Sequence, residues 1–271
     1  MSFKSFVVAV ALLFFVLSGQ ARESKRVVSL APSVSEIIYL VGAQDQLVGC
    51  TSYCTIAAND SVPVVGNAID VNMEALFALQ PDLVLAMELT KQQDISAMKK
   101  LGIKVELMKS PRNFEEICEQ TLHIAGLLGK AAEAEKLVAS TRQRVAEISR
   151  LAKNQKHRKI FFQLGANPIF SVLDNTFMND YITICNGENI AAGLTKGTVT
   201  RESVLIKNPD VIIVATMGGF GEEEMKVWKT YPEIEAVKNN KVFLISSETS
   251  CNPTPTSFVS ALEDVYKFVS Q

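Results

Sequence analysis

Apolar residues fall along this chain in two rhythms, short continuous runs and longer stretches of helical spacing, and their alternation predicts the architecture. Residues 26–30 (RVVSL) are rich in β-branched side chains and stop at Ala31, Pro32 and Ser33, which reads as a strand entering a turn. Ser33 can cap a following helix, whose apolar positions Ile37, Ile38, Leu40 and Val41 lead to Gly42, a usual helix stop. Further short apolar runs lie at 47–48, 82–86 (DLVLA) and 103–108, with helical stretches between them. The second half repeats the plan: 159–164 (KIFFQL), a helix through 181–185, then 210–215 (DVIIVA) and 241–245 (KVFLI). Strands alternating with helices predict an α/β protein of two Rossmann-like lobes, each with a central, mostly parallel sheet covered on both faces.

The repetition is also literal. Residues 71–86 read VNMEALFALQPDLVLA and 199–214 read VTRESVLIKNPDVIIV, so Glu74, Pro81 and Asp82 recur as Glu202, Pro209 and Asp210. Each lobe should therefore present a glutamate near the start of a short helix that passes through a Pro-Asp turn into a strand. Between the halves, 113–128 forms one amphipathic helix ending at Gly129, and 131–153 forms a second with neither Gly nor Pro. At 1.5 Å per residue the second spans about 35 Å, enough to bridge two lobes. The expected divisions are a leader at 1–21, a first lobe at 22–129, a linking helix and polar exit at 130–157, and a second lobe at 158–271.

Composition narrows the setting. The 271 residues are 48% hydrophobic and 21% charged, with a net charge of -2 and no block of like charge, which argues against a nucleic-acid partner. Lys4 precedes an apolar run from Phe6 to Leu17, followed by Ser18, Gly19, Gln20 and Ala21. A bilayer span needs about 20 apolar residues. This run is shorter and ends in small residues, so it reads as a secretory signal cleaved after Ala21, delivering the mature chain to the periplasm. No cysteine follows the run, so a lipid anchor is not expected. The five cysteines, Cys50, Cys54, Cys118, Cys185 and Cys251, read as small buried hydrophobes with one bridge at most, and the isolated Cys50 and Cys54 spacing makes no zinc site.

In open parallel sheets ligands bind beyond the carboxyl ends of the strands. That rule selects Pro32, Ser33, Tyr53, Asn67, Met87 and Glu88 from the first lobe. From the second it selects Asn167, Pro168, Phe170, Met217, Gly218, Gly219, Glu248, Thr249 and Cys251, and the mixture suits a sizeable organic ligand. Catalytic constellations are thin. His123 lies inside a helix beside apolar Leu122 and Ile124 and His157 in the charged exit segment, no G-x-S-x-G elbow is present, and Gly218, Gly219 and Gly221 lack both the Rossmann and the P-loop spacing. No resident cofactor or metal is expected. Glu74 and Glu202 carry more information, because one acidic knob on each of two repeated lobes suits docking on a two-subunit membrane partner. A secreted enzyme on the same scaffold remains open, since fold alone does not settle function.

The segments RVVSLAPSVSEIIYLVGA, VPVVG, VNMEALFALQPDLVLA, LGIKVELM, FFQLGANPIF, ICNGENI and VTRESVLIKNPDVIIV together resemble the helical-backbone binding proteins of ABC importers, whose members receive cobalamin, siderophores or haem. The resemblance runs nearly from Arg26 to the end. It implies a monomeric receptor that holds cobalamin or a related corrinoid between the lobes, or alternatively a ferric siderophore or haem, and passes it to a permease dimer powered by its ATPase. It implies that Glu74 and Glu202 meet arginines of the permease, and that Tyr53 and residues 167–170 line the cleft. It also implies only small closing motions. Where the cobalamin receptors carry tryptophans, this chain has Gly66 or Asn67 and Met87; Cys185 falls on a cysteine bridged in them, but its partner is missing here, so no bridge is implied.

Overall fold

A computed structural model describes residues 25–67 and 69–271, and the leader expected at 1–21 lies outside them. The first lobe is built from β1 (Val27–Ser29), α1 (Pro32–Leu40), β2 (Leu47–Gly49), α2 (Thr55–Ala58), α3 (Met73–Ala78), β3 (Leu83–Met87), α4 (Gln92–Lys100) and β4 (Lys104–Met108). Its four strands are all parallel, in the order β2-β1-β3-β4. The unbroken apolar run of β3 follows from this position. Successive side chains point to opposite faces, so Leu83 and Leu85 pack with Val34, Ile37 and Ile38, while Val84 and Ala86 pack with Leu76, Ile95 and Met98.

Two helices follow, α5 (Phe114–Leu128) and α6 (Ala131–Ala152). Asn113 opens α5 by accepting from the Glu116 N–H at 2.8 Å, and Gly129 closes it at a φ of 73°, where a side chain would be strained. The linking helix α6 has a companion in this task. Ala134 of α6 and Ile124, Ala125 and Leu128 of α5 belong to the first lobe's core, whereas Val138, Val145 and Ile148 of α6 and Phe114, Ile117 and Cys118 of α5 belong to the second's. Both helices thus cross the seam.

The second lobe comprises β5 (Arg158–Ala166), β6 (Ile169–Ser171), α7 (Asn179–Ile184), β7 (Gly187–Asn189), β8 (Thr198–Val199), α8 (Arg201–Lys207), β9 (Val211–Ala215), α9 (Gly221–Trp228), α10 (Glu235–Lys238), β10 (Val242–Ile245), α11 (Ser247–Ser250) and α12 (Pro255–Ser270). Strands β10, β9 and β5 are parallel, and β6 and β8 extend the sheet antiparallel beyond β5, which also pairs with β7. The three small strands β6, β7 and β8 were not among the expected elements, because two or three residues containing Gly or polar side chains establish no period. The closing helix α12 also stands outside the expected set; it buries Phe258, Ala261, Leu262 and Val265 in the core shared with α6.

The literal repeat acquires a physical reason here. Gln80 and Asn208, at matched places before the two prolines, take φ of 45° and 46°, the left-handed conformation that ends a helix. Asp82 Oδ2 then accepts from the Arg26 N–H at 2.8 Å, and Asp210 Oδ2 from the Lys159 N–H, also at 2.8 Å. The aspartates tie each incoming helix to the first strand of its lobe.

Candidate functional site

The carboxyl ends of β1 and β2 meet the carboxyl end of β10 across the seam, and a cavity of about 560 Å³ lies between them. Proline at the first position of α1 fixes its entry, with Ala31 extended before it, so Pro32 and Ser33 reach the cavity from the first turn. Tyr53 and Cys54 arrive on the loop after β2, and Glu248, Thr249 and Cys251 arrive on α11 and the turn after it. Tyr53 is 63% exposed, a large aromatic held at the rim with little packing of its own.

The sequence-selected residues divide at this point. Pro32, Ser33, Tyr53, Glu248, Thr249 and Cys251 line the cavity; Asn67, Met87, Glu88, Asn167, Pro168, Phe170, Gly218 and Gly219 do not. Asn67 is occupied in its own loop, its Oδ1 accepting from the Ile69 and Asp70 N–H groups, each at 2.8 Å. Met87 packs partly buried on the first-lobe core, and Glu88 accepts from the Ser110 N–H at 3.3 Å. Asn167, joined to Pro168 by a cis peptide bond, lies with Pro168 and Phe170 on the exposed end of the β5–β6 hairpin. Gly218 and Gly219 form an exposed turn at φ of 69° and 78°.

Glu36 is the cavity residue that the strand-end rule did not select. It sits in the middle of α1, half-buried, and its carboxylate crosses to the other lobe. Oε1 accepts from Thr254 Oγ1 at 2.8 Å and from Ser257 Oγ at 2.9 Å, and Oε2 accepts from Asn252 Nδ2. Thr254 in turn caps α12 through the Ser257 N–H. One carboxylate therefore holds α1 against the start of α12 at the cavity wall. Hydrogen bonds to a charged group contribute about 1.5–3 kcal/mol each, less where water can replace them. Glu36→Ala is expected to lower stability by about 2 kcal/mol, a fall in Tm of roughly 4–8 °C at this chain length, measurable by calorimetry; an unchanged Tm would show that the contact carries no net energy.

The charge of the lining is one-sided. Glu36 and Glu248 are its ionisable carboxylates, hydroxyls come from Ser33, Thr55, Ser247, Thr249 and Ser257, and no lining side chain among the described residues is Lys, Arg or His. His123 pairs with Glu106 at 2.8 Å and His157 Nδ1 contacts the Asn186 carbonyl at 2.8 Å, both away from the cavity. No cluster of three or more His, Cys, Asp or Glu suited to a metal ion occurs among the described residues. Trp228 is fully buried, donating to Gln163 Oε1 at 2.6 Å, so its fluorescence reports the second-lobe core rather than the cavity.

Glu74 and Glu202 lie in the first turns of α3 and α8, both exposed. Asn72 Oδ1 caps α3 by accepting from the Ala75 N–H at 3.0 Å, and Thr200 Oγ1 caps α8 by accepting from the Ser203 N–H at 3.2 Å. Each helix runs back against the parallel strand it feeds, so both helix starts lie toward the carboxyl edges of the sheets. The Glu202 carboxyl is held below the usual range by its own N–H and the Thr200 hydroxyl.

Comparison with known proteins gives a consistent picture. The model of a family described as periplasmic binding protein matches residues 27–249. An uncharacterised ABC transporter substrate-binding lipoprotein of Bacillus subtilis, YvrC, is 31% identical over 231 residues, covering 82% of this chain and 73% of that protein. A vitamin B12-binding protein of Yersinia pseudotuberculosis is 30% identical over 212 residues, covering 76% of this chain and 75% of that protein. The crystal structure of the periplasmic vitamin B12 binding protein BtuF of Vibrio cholerae shares the fold at a TM-score of 0.78 and 24% identity, covering 90% of this chain and 96% of that one.

Proposed function

The chain belongs to the periplasmic binding protein family, and on that premise we propose that it captures a corrinoid of the cobalamin type between its lobes and delivers it to an ABC importer. The observation that carries the choice of cargo is the charge of the cavity. A corrinoid presents a rim of neutral amides, which hydroxyls, carboxylates and the Asn252 amide can satisfy as donors and acceptors. Haem propionates or an anionic ferric chelate would instead face Glu36 and Glu248 with like charge and no cation in the lining to offset it. At about 560 Å³ the cavity holds a drug-sized portion of such a ligand, so a corrinoid would sit with its periphery in solvent.

A thermal-shift panel of cobalamin, cobinamide, haem and ferric siderophores tests this reading. The corrinoids should raise Tm, with about 2.7 kcal/mol of stabilisation at a hundredfold excess over Kd, and should be recovered chemically unchanged. A larger shift with haem, or none with either corrinoid, would overturn the assignment. The receptor would work as an exported monomer. Lys4 and the apolar run 6–17 support a cleaved leader, and no described helix is long and apolar enough to cross a membrane. Delivery would use Glu74 and Glu202, and Pro32, Ser33, Tyr53, Glu248 and Thr249 would contact the cargo.

A further inference from the structure

Cys54 lines the cavity, and Cys50 is packed behind it in the first-lobe core, four residues earlier in the chain. Cys50 ends the β2 run, where its N–H donates to the Pro63 carbonyl at 2.9 Å and its carbonyl accepts from Val65 at 2.8 Å. Cys54 follows one tight turn later, its N–H donating to the Thr51 carbonyl at 3.0 Å. Both side chains are packed, at 2% and 4% exposure, yet only Cys54 reaches the cavity surface. Its sulfur is unusually well served for a buried thiol: Ser35 Oγ donates to it at 3.1 Å, Thr51 Oγ1 lies 3.2 Å away, and the Cys50 thiol adjoins it. The Cys50 thiol, the Ser35 hydroxyl and the Thr51 hydroxyl converge on one sulfur and favour its thiolate, so Cys54 is lowered against the opposing effect of burial, while the same contact and burial push Cys50 up. Burial drives the others the opposite way, with Cys118 and Cys185 each pushed up to about 12 and Cys251 raised.

A cavity-lining sulfur that neighbouring polar hydrogens favour as thiolate, backed by a second thiol, is the arrangement of an attacking and a resolving cysteine. We propose that Cys50 and Cys54 form a dithiol exchange site that takes a small organic disulfide through the cavity and closes into a Cys50–Cys54 disulfide. The cavity's size admits a small molecule and not a protein, and its acidic lining favours an uncharged one. The Cys54 thiolate attacks one sulfur of the incoming disulfide, whose S–S bond breaks; one half departs as a thiolate and takes a proton from water. Cys50 then loses its proton to solvent and attacks the Cys54 sulfur, expelling the second half as a thiolate that is protonated in turn. The chain loses two hydrogens and the small disulfide becomes two thiols. The ring so formed contains Tyr53, so oxidation would fix the rim on which the cargo is proposed to lie. The proposed export supplies a compartment where disulfides persist, but the exchange itself does not depend on it, nor on the identity of the cargo.

The test exposes the reduced full chain to bis(2-hydroxyethyl) disulfide at neutral pH, blocks remaining thiols with iodoacetamide and maps them by mass spectrometry. The wild type should yield a Cys50–Cys54 disulfide, with Cys54 consumed about tenfold faster than Cys251, since its greater thiolate fraction outweighs its lower nucleophilicity. Cys50→Ser should stop at the mixed disulfide on Cys54, and Cys54→Ser should leave Cys50 unmodified over the same period. First reaction at Cys251, reaction of Cys50 in the Cys54→Ser chain, or no wild-type reaction without denaturant would each overturn the proposal.

Discussion

Glu224→Ala is expected to destabilise the second lobe by about 3–5 kcal/mol, the cost of leaving a buried charge without its partner. The Glu224 side chain is 10% exposed and that of Arg201 22%, so water replaces only part of what is removed. Arg201 Nη2 donates to both carboxylate oxygens, at 2.9 and 2.8 Å, and Gln163 Nε2 donates to Oε2 at 2.8 Å. Gln163 Oε1 accepts from Trp228 Nε1 at 2.6 Å, and the Arg201 guanidinium lies 4.7 Å from the centre of the Trp228 ring. Arg201 Nη1 has no partner, so the guanidinium depends on this carboxylate for its compensation. The loss should appear as a lowered urea midpoint with unchanged slope and a fall in Tm of roughly 6–20 °C, with Trp228 emission following the same transition. An Arg201→Met, Glu224→Met double variant removes both charges and should recover much of the loss. A single variant that costs under about 1 kcal/mol would mean that the pair is solvated in solution.

The way this network escapes the sequence pattern shows what such a pattern conveys. The sheet strands 83–87 and 211–215 were readable because a strand buried on both faces has no polar alternation, and the repeated Pro-Asp turns were readable because each has a local cause within a few residues. Glu224, Gln163 and Arg201 look like ordinary surface residues until three separate elements bring them together. The same holds for Glu36, whose partners Asn252, Thr254 and Ser257 lie more than 200 positions away and leave no trace in the residues around it. The strand-end rule has the complementary weakness. It selects loops at the correct edge of each sheet, which is why Pro32, Ser33, Tyr53, Glu248 and Thr249 come together at one cavity. It carries no information on which loops face the other lobe, and so it also selected Asn67, engaged within its own turn, and the exposed hairpin end at Phe170.

Changing Glu74 and Glu202 together to alanine is expected to lower delivery to the importer by at least about thirtyfold, because truncating one partner of a buried, hydrogen-bonded charge pair costs about 2–5 kcal/mol. The variant is informative because both side chains are dispensable to the fold. Each is exposed, the caps are made by Asn72 and Thr200 instead, and a first-turn glutamate adds only about 0.3–1 kcal/mol through the helix dipole. Neither residue lines the cavity, so cargo affinity should stay within a factor of about two while binding to the permease complex in nanodiscs falls. Single variants separate two ways of docking. If the receptor must seat both lobes at once, either alanine alone removes most of the binding, since the second contact is intramolecular once the first is made. If one lobe dominates, one single variant behaves as wild type and the other as the double. A double variant that docks normally, or that loses cargo affinity in parallel, would sink the docking role, and the duplicated glutamates would then owe their places to the helix starts alone.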